Sequence, residues 1–265
     1  MMQAFIQGVS VCGPGLDGWA PSRAILAGEE AYVPRPTQPA VPSVLAANER
    51  RRTGAAVRLA LSVAQQASEM AGIAPGSIPS VFGTSNSDGA VMHAILETLA
   101  LDAPVSPTQF HNSVHNAASG YWSIATGSRQ PTSCLSGHDG TAAAALLKAA
   151  AAVTVEQVPV LLCVYEVPML EPLASRRPTE GSFGAALVLT PRAVPGALAR
   201  LGVSCQPYPA TAEQEAPRGV AWRNLAAGNA AARLLRLLES LAQGVADAFA
   251  LRLLDGRVAV TLEPC

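Results

Sequence analysis

The chain has 265 residues, of which 49% are hydrophobic and 14% charged, with a formal net charge of −1. Such a length allows one large globular unit or two small ones, and the near-neutral charge, with no basic run longer than Arg50-Arg51-Arg52, argues against a nucleic-acid footprint. So apolar a chain favours a subunit covered in a complex over a free monomer.

The five cysteines, at 12, 134, 163, 205 and 265, form no CxxC pair and no metal-ligand spacing. Their odd number predicts free thiols in a reducing cytoplasm. The first fifteen residues lack the basic start and long apolar run of a signal peptide, and the alanine-rich stretches are too short for a membrane span. No cofactor is expected.

Residues 3–12 alternate and predict a strand, stopped by Gly13-Pro14-Gly15. A short helix follows over 20–26, closed by Gly28. Residues 31–47, with Pro34, Pro36, Pro39 and Pro42, predict an extended loop. A helix opens at Asn48 and runs to Gly72, with Val57, Leu61, Ala64 and Met70 at helical spacing. Residues 80–83 predict a buried strand, 85–89 a turn, and 90–99 a helix.

The small residues of 113–125 predict another helix. A strand over 132–136 then leads into a helix over 141–153. Residues 160–165 and 185–189 are apolar enough for fully buried strands, and 198–205 alternates weakly. Residues 206–221 predict a loop, 224–249 one long or broken helix, and 257–262 the last strand. Strands separated by helices predict an α/β layered domain.

Four places carry a resemblance to a known family. They are residues 5–28, Arg51-Arg52 with its helix, Val81-Phe82-Gly83-Thr84-Ser85, and residues 106–127. Together they resemble a β-ketoacyl synthase of the thiolase superfamily over about residues 3–191. Phe110-His111-Asn112-Ser113-Val114-His115-Asn116 resembles the short synthase-like proteins of aryl polyene pathways, which are thought to pair with a genuine ketosynthase as a chain-length factor. The resemblance implies a thiolase-like α/β/α fold over 1–265. Residues 1–191 would match the N-terminal half, and 192–265 a reduced C-terminal part of one strand, one long helix and one strand.

A condensing synthase needs a cysteine at a strand-to-helix elbow, where the helix N-terminus favours thiolate, and two downstream histidines. Cys134, in Ser133-Cys134-Leu135-Ser136-Gly137, is one candidate nucleophile. Aligning Gly127 and Pro131 with the family and running without a gap to 160–162 instead puts Asp139 at that position. Asp139 there would cap the following helix. His138 beside it could face a pocket or pack. The chain's four histidines are 93, 111, 115 and 138, so no catalytic histidine can be carried over from the C-terminal half.

His111 and His115 stand four apart and could share a helix face, but no carboxylate stands at HExxH spacing, so no metal is expected. They would line an interface or bond the backbone, with Asn112 and Asn116 satisfying local backbone groups. Tyr121 and Trp122 would pack as core or interface aromatics. Met92 and Phe110 read as core residues. By resemblance they lie near the place where a paired subunit closes the acyl tunnel. The expected partners are a catalytic ketosynthase or a second copy, and an acyl carrier protein. The alternative is a truncated active acyltransferase using Cys134.

Overall fold

The structure is a computed structural model that describes residues 1–208, 211 and 215–265. Strand β1 (Met2–Gly13) lies centrally in one mixed sheet. A two-residue strand, β2 (Leu16–Asp17), folds back on its end. The remaining strands are β3 (Ser80–Gly83), β4 (Thr132–Leu135), β5 (Val160–Glu166), β6 (Phe183–Thr190), β7 (Ala199–Gln206), β8 (Asp247–Leu253) and β9 (Gly256–Pro264). Their order is β4-β3-β5-β6-β1-β7-β9-β8. Strand β3 is parallel to both β4 and β5, and every other pairing is antiparallel.

Helices cover both faces. On one lie α3 (Ala55–Met70) and α6 (Ala117–Thr126), packed through Leu161, Cys163 and Tyr165 of β5. On the other lie α7 (Thr141–Glu156), packed on β5 through Val160, Leu162 and Val164, and α1 (Trp19–Ala27) and α10 (Leu235–Gln243), which pack on each other and on β1 and β9. Neighbouring residues of β5 thus serve opposite cores, which is why the strand is an unbroken apolar run. Each fully buried Leu or Val here contributes about 1.5–3 kcal/mol.

Three expectations are corrected. The helix predicted from Asn48 is broken into α2 (Ala47–Arg52) and α3. Thr53 between them is extended, and a Cβ on Gly54 would lie 2.0 Å from Asp88 Oδ2. That carboxylate accepts the Ala56 N–H at 3.2 Å, so a buried partner ends one helix and starts the next.

The helix predicted over 113–125 also breaks. Ser106, with Gln109, forms a capping box on α5 (Pro107–Ser113), and Val114–Asn116 separates it from α6. His111 therefore lies on α5 and His115 in the linker, and the two share no helix face.

The long helix expected at 224–249 is α9 (Val220–Gly228), a 3₁₀ turn at Ala232–Leu234, and α10, which Gly244 ends in the left-handed conformation. Phe249 lies in a strand. Strands β8 and β9 form a hairpin turning at Leu254-Asp255, so the C-terminal part holds three strands. The expected loop at 206–221 lies partly outside the described residues.

Candidate functional site

The parallel strands β3, β4 and β5 end together, and the chain segments leaving them converge. After β4 the chain makes a tight turn, with His138 at φ 53, and passes through a 3₁₀ turn at His138–Gly140 into α7. A side chain at a strained strand-to-helix turn is held out of the sheet toward open space. His138 is exposed accordingly, and its Nδ1 lies 3.4 Å from Asp139 Oδ1.

Asp139 does not cap α7, whose N-cap residue is Gly140. Its carboxylate instead faces Arg177 Nη1 at 2.7 Å and Arg233 Nη2 at 3.9 Å. Burial works to raise this carboxyl, but Arg177, Arg233 and His138 outweigh it and hold it below its ordinary value. Arg233 in turn pairs with Glu215 at 3.4 Å.

Arg177 also reaches Asn86 Oδ1 and Ser85 Oγ, each at 3.4 Å. Behind this pair lies Glu166, fully buried at the end of β5. It accepts the N–H groups of Ser85 and Asn86. Burial pushes its carboxyl up to about 7, although those amides and Arg177 pull the other way. The groups enclose a polar cavity of about 290 Å³ between the elbow, Arg176-Arg177 and Ala227-Gly228.

Glu166 and Arg177 were missed in the sequence. The signal for the first was present: a lone carboxylate ending a wholly apolar strand. Arg177 sits in a polar loop with no periodicity to mark it.

Cys134 is the third residue of β4, in the strand and not at the turn. Its thiol donates to Ser119 Oγ at 2.8 Å. Burial pushes it up, with the Ser119 hydrogen bonds pulling back. A protonated, strand-bound thiol is a weak nucleophile.

His115 Nε2 lies 2.9 Å from the Thr84 carbonyl oxygen. His111 is exposed and meets Tyr121 edge-on, with ring centroids 5.4 Å apart. Asn112 Nδ2 donates to the Arg52 carbonyl at 2.8 Å, while Asn116 makes no side-chain cap bond to α6. Tyr121 and Trp122 are buried in the core beneath α6. No group of three or more His, Cys, Asp or Glu among the described residues could hold a metal ion, and no described helix is long and apolar enough to cross a membrane.

Met92 and Phe110 are not core residues. Met92 lies on α4 (Gly89–Ala100), and Phe110 on α5 is 67% exposed. On α4 only Gly89 is buried, although the helix is largely apolar. Met92, Leu96, Leu99 and Leu101 stand in solvent. Spacing alone gave no warning, because an apolar helix without a partner in its own chain reads like a core helix.

A mixed sheet between two helical layers, with a strand-to-helix elbow at the ends of parallel strands, is the thiolase-like ketosynthase class of fold. The family model "Beta-ketoacyl synthase, N-terminal domain" matches residues 25–247, and the chain belongs to that family. No curated protein matches it.

Among solved structures, one chain of "Ketosynthase (ApeO) in Complex with its Chain Length Factor (ApeC)" from Xenorhabdus doucetiae is similar. It is 18% identical, with 98% of this chain and 100% of that one covered and a TM-score of 0.73. A β-ketoacyl synthase from Burkholderia phymatum is 13% identical, with both chains fully covered and a TM-score of 0.72. The ishigamide ketosynthase/chain length factor is 15% identical, covers 99% of each chain and has a TM-score of 0.67. At these identities the likeness is one of fold.

Proposed function

We propose that the chain is a non-catalytic, chain-length-factor-like subunit. It pairs with a catalytic β-ketoacyl carrier-protein synthase and shapes the pocket for a carrier-bound acyl chain, in type II polyketide, aryl polyene or fatty-acid-like biosynthesis in the cytoplasm. The observation that carries this reading is Asp139. The elbow holds a carboxylate committed to Arg177, where acyl transfer needs a thiolate. The lack of any histidine after His138 supports it further.

The exposed apolar face of α4, with Phe110 nearby on α5, is the surface we assign to the partner ketosynthase. Met92 and Phe110 would then bound the acyl chamber. Strand β4 is the sheet edge on that side of the fold, and its unpaired backbone groups offer a further contact. His111, His115, Asn116 and Tyr121 belong to the wall behind it. We read 1–265 as one ketosynthase-like domain, with 1–191 its complete half and 192–265 its reduced part.

The alternative, an acyltransferase using Cys134, has in its disfavour a thiol bonded to Ser119 within a strand. The test is to purify the chain alone and with a ketosynthase from the same pathway, weigh the complexes, and assay elongation of carrier-bound substrates. Elongation by the isolated chain ends the proposal. Failure to associate with the ketosynthase, with self-association instead, points to a homodimeric scaffold.

A further inference from the structure

A second cavity lies away from the elbow. It measures about 450 Å³ and lies between the proline-rich loop after α1 and the start of α3. Pro39 and Val41 on the loop, with Leu59 and Val167 opposite, give it an apolar body. Arg50 and Arg58 stand in its wall.

Neither guanidinium has a carboxylate within ion-pair distance among the described residues. Arg50 Nη1 donates to the Leu45 carbonyl at 2.9 Å, and Arg58 Nη1 to the Thr53 carbonyl. These backbone bonds fix each guanidinium and leave charge uncompensated. The acids nearby are committed: Glu49 pairs with Arg52, and Asp88 accepts from Ala56 at the start of α3 and from Val91 at the start of α4. Ala55, the first residue of α3, also lines the cavity.

The cavity is built rather than collapsed. Prolines stiffen the loop. Thr37 Oγ1 donates to the Ser182 carbonyl at 2.7 Å, and the Val44 N–H to Gln65 Oε1 at 3.1 Å. Two fixed guanidiniums above an apolar floor suit a group with about two negative charges and several acceptor oxygens on a short apolar body.

We propose that this cavity binds a small organic phosphate monoester, its phosphate held by Arg50 and Arg58 and its apolar part laid along Pro39 and Val41. The site is separate from the elbow and does not rest on the pairing proposed above.

The test is calorimetric titration of the isolated full chain with phenyl phosphate, with benzyl alcohol as the uncharged control. Saturable one-to-one binding is expected for phenyl phosphate and none for benzyl alcohol. Arg50→Gln and Arg58→Gln should each weaken binding about tenfold, the weight of a charge-assisted hydrogen bond. Val41→Asp, at an exposed loop position, sets an anion at the rim and should weaken it too, so a folding defect in an arginine variant leaves the test intact. The proposal is overturned if phenyl phosphate gives no saturable binding, or if binding survives these substitutions unchanged. It is also overturned if the two arginines matter only for an acidic carrier protein stripped of its prosthetic group, since the groove is then a protein contact.

Discussion

The carboxylate of Asp139 and the guanidinium of Arg177 meet at 2.7 Å across the ends of β4 and β5. The contact joins the elbow to the segment between β5 and β6, and Arg177 carries it on to Ser85 and Asn86 after β3. The exits of three strands are thereby tied at one point.

Asp139→Ala should therefore lower stability modestly. The pair is partly exposed and screened by solvent, so about 0.5–1 kcal/mol is expected in a urea melt. Asp139→Cys should show no elongation by the isolated chain, because no histidine follows His138 to support decarboxylation and the oxyanion. Elongation by that variant would show that the chamber keeps a catalytic apparatus that the histidine count hides.

Glu166 predicts a pH dependence. Its folded value of about 7 lies above the ordinary 4.5. Between these values the folded chain keeps a proton that the unfolded chain releases. Its contribution is fully present below 4.5 and is lost as pH rises through 7. The span is on the order of 3 kcal/mol. Denaturant melts from pH 4.5 to 7.5 should show the fall, and Glu166→Gln should flatten it. An unchanged slope in that variant would assign the dependence to other groups.

Cys134 should react slowly with a thiol reagent at neutral pH, far behind the exposed Cys205 and Cys265. Cys134→Ala should leave elongation by the assembled complex intact. Activity that vanishes with the thiol would revive the acyltransferase reading.

Leu96→Asp and Leu99→Asp probe the bare face of α4. Both side chains are exposed, so the melt of the isolated chain should move by no more than about 0.5 kcal/mol. Association with a ketosynthase should nonetheless be lost, as read by size-exclusion chromatography with light scattering. A complex that forms normally would place the interface elsewhere.

Much of the fold was legible because buried strands announce themselves. Residues 160–165 and 185–189 carry nothing but apolar side chains until Glu166, and they lie where the sequence places them. The breaks were harder to see. Gly54 follows an apparently continuous helical pattern, and only its contact with Asp88, far away in sequence, ends α2. Strand β8 was hidden in a helical reading of 224–249, although Asp255-Gly256 marks a hairpin turn. At the elbow, Cys134 in the strand and Asp139 at the turn followed from the gapless alignment of Gly127 and Pro131 with the resembled family. The ion pairs did not, because Arg177 and Arg233 arrive from segments that local patterns cannot bring together.

The turn at Gly140 is mechanically coupled to the end of the chain. A Cβ there would lie 3.0 Å from the Arg252 carbonyl oxygen, because the final hairpin is laid against the elbow. The elbow and the strands beyond β7 have thus become one fitted piece. A cysteine in place of Asp139 would set sulfur beside Arg177 and Arg233, in a turn that cannot move without lifting β8. A side chain at Gly140 would have to be matched by a shift of the final hairpin, so the two must change together.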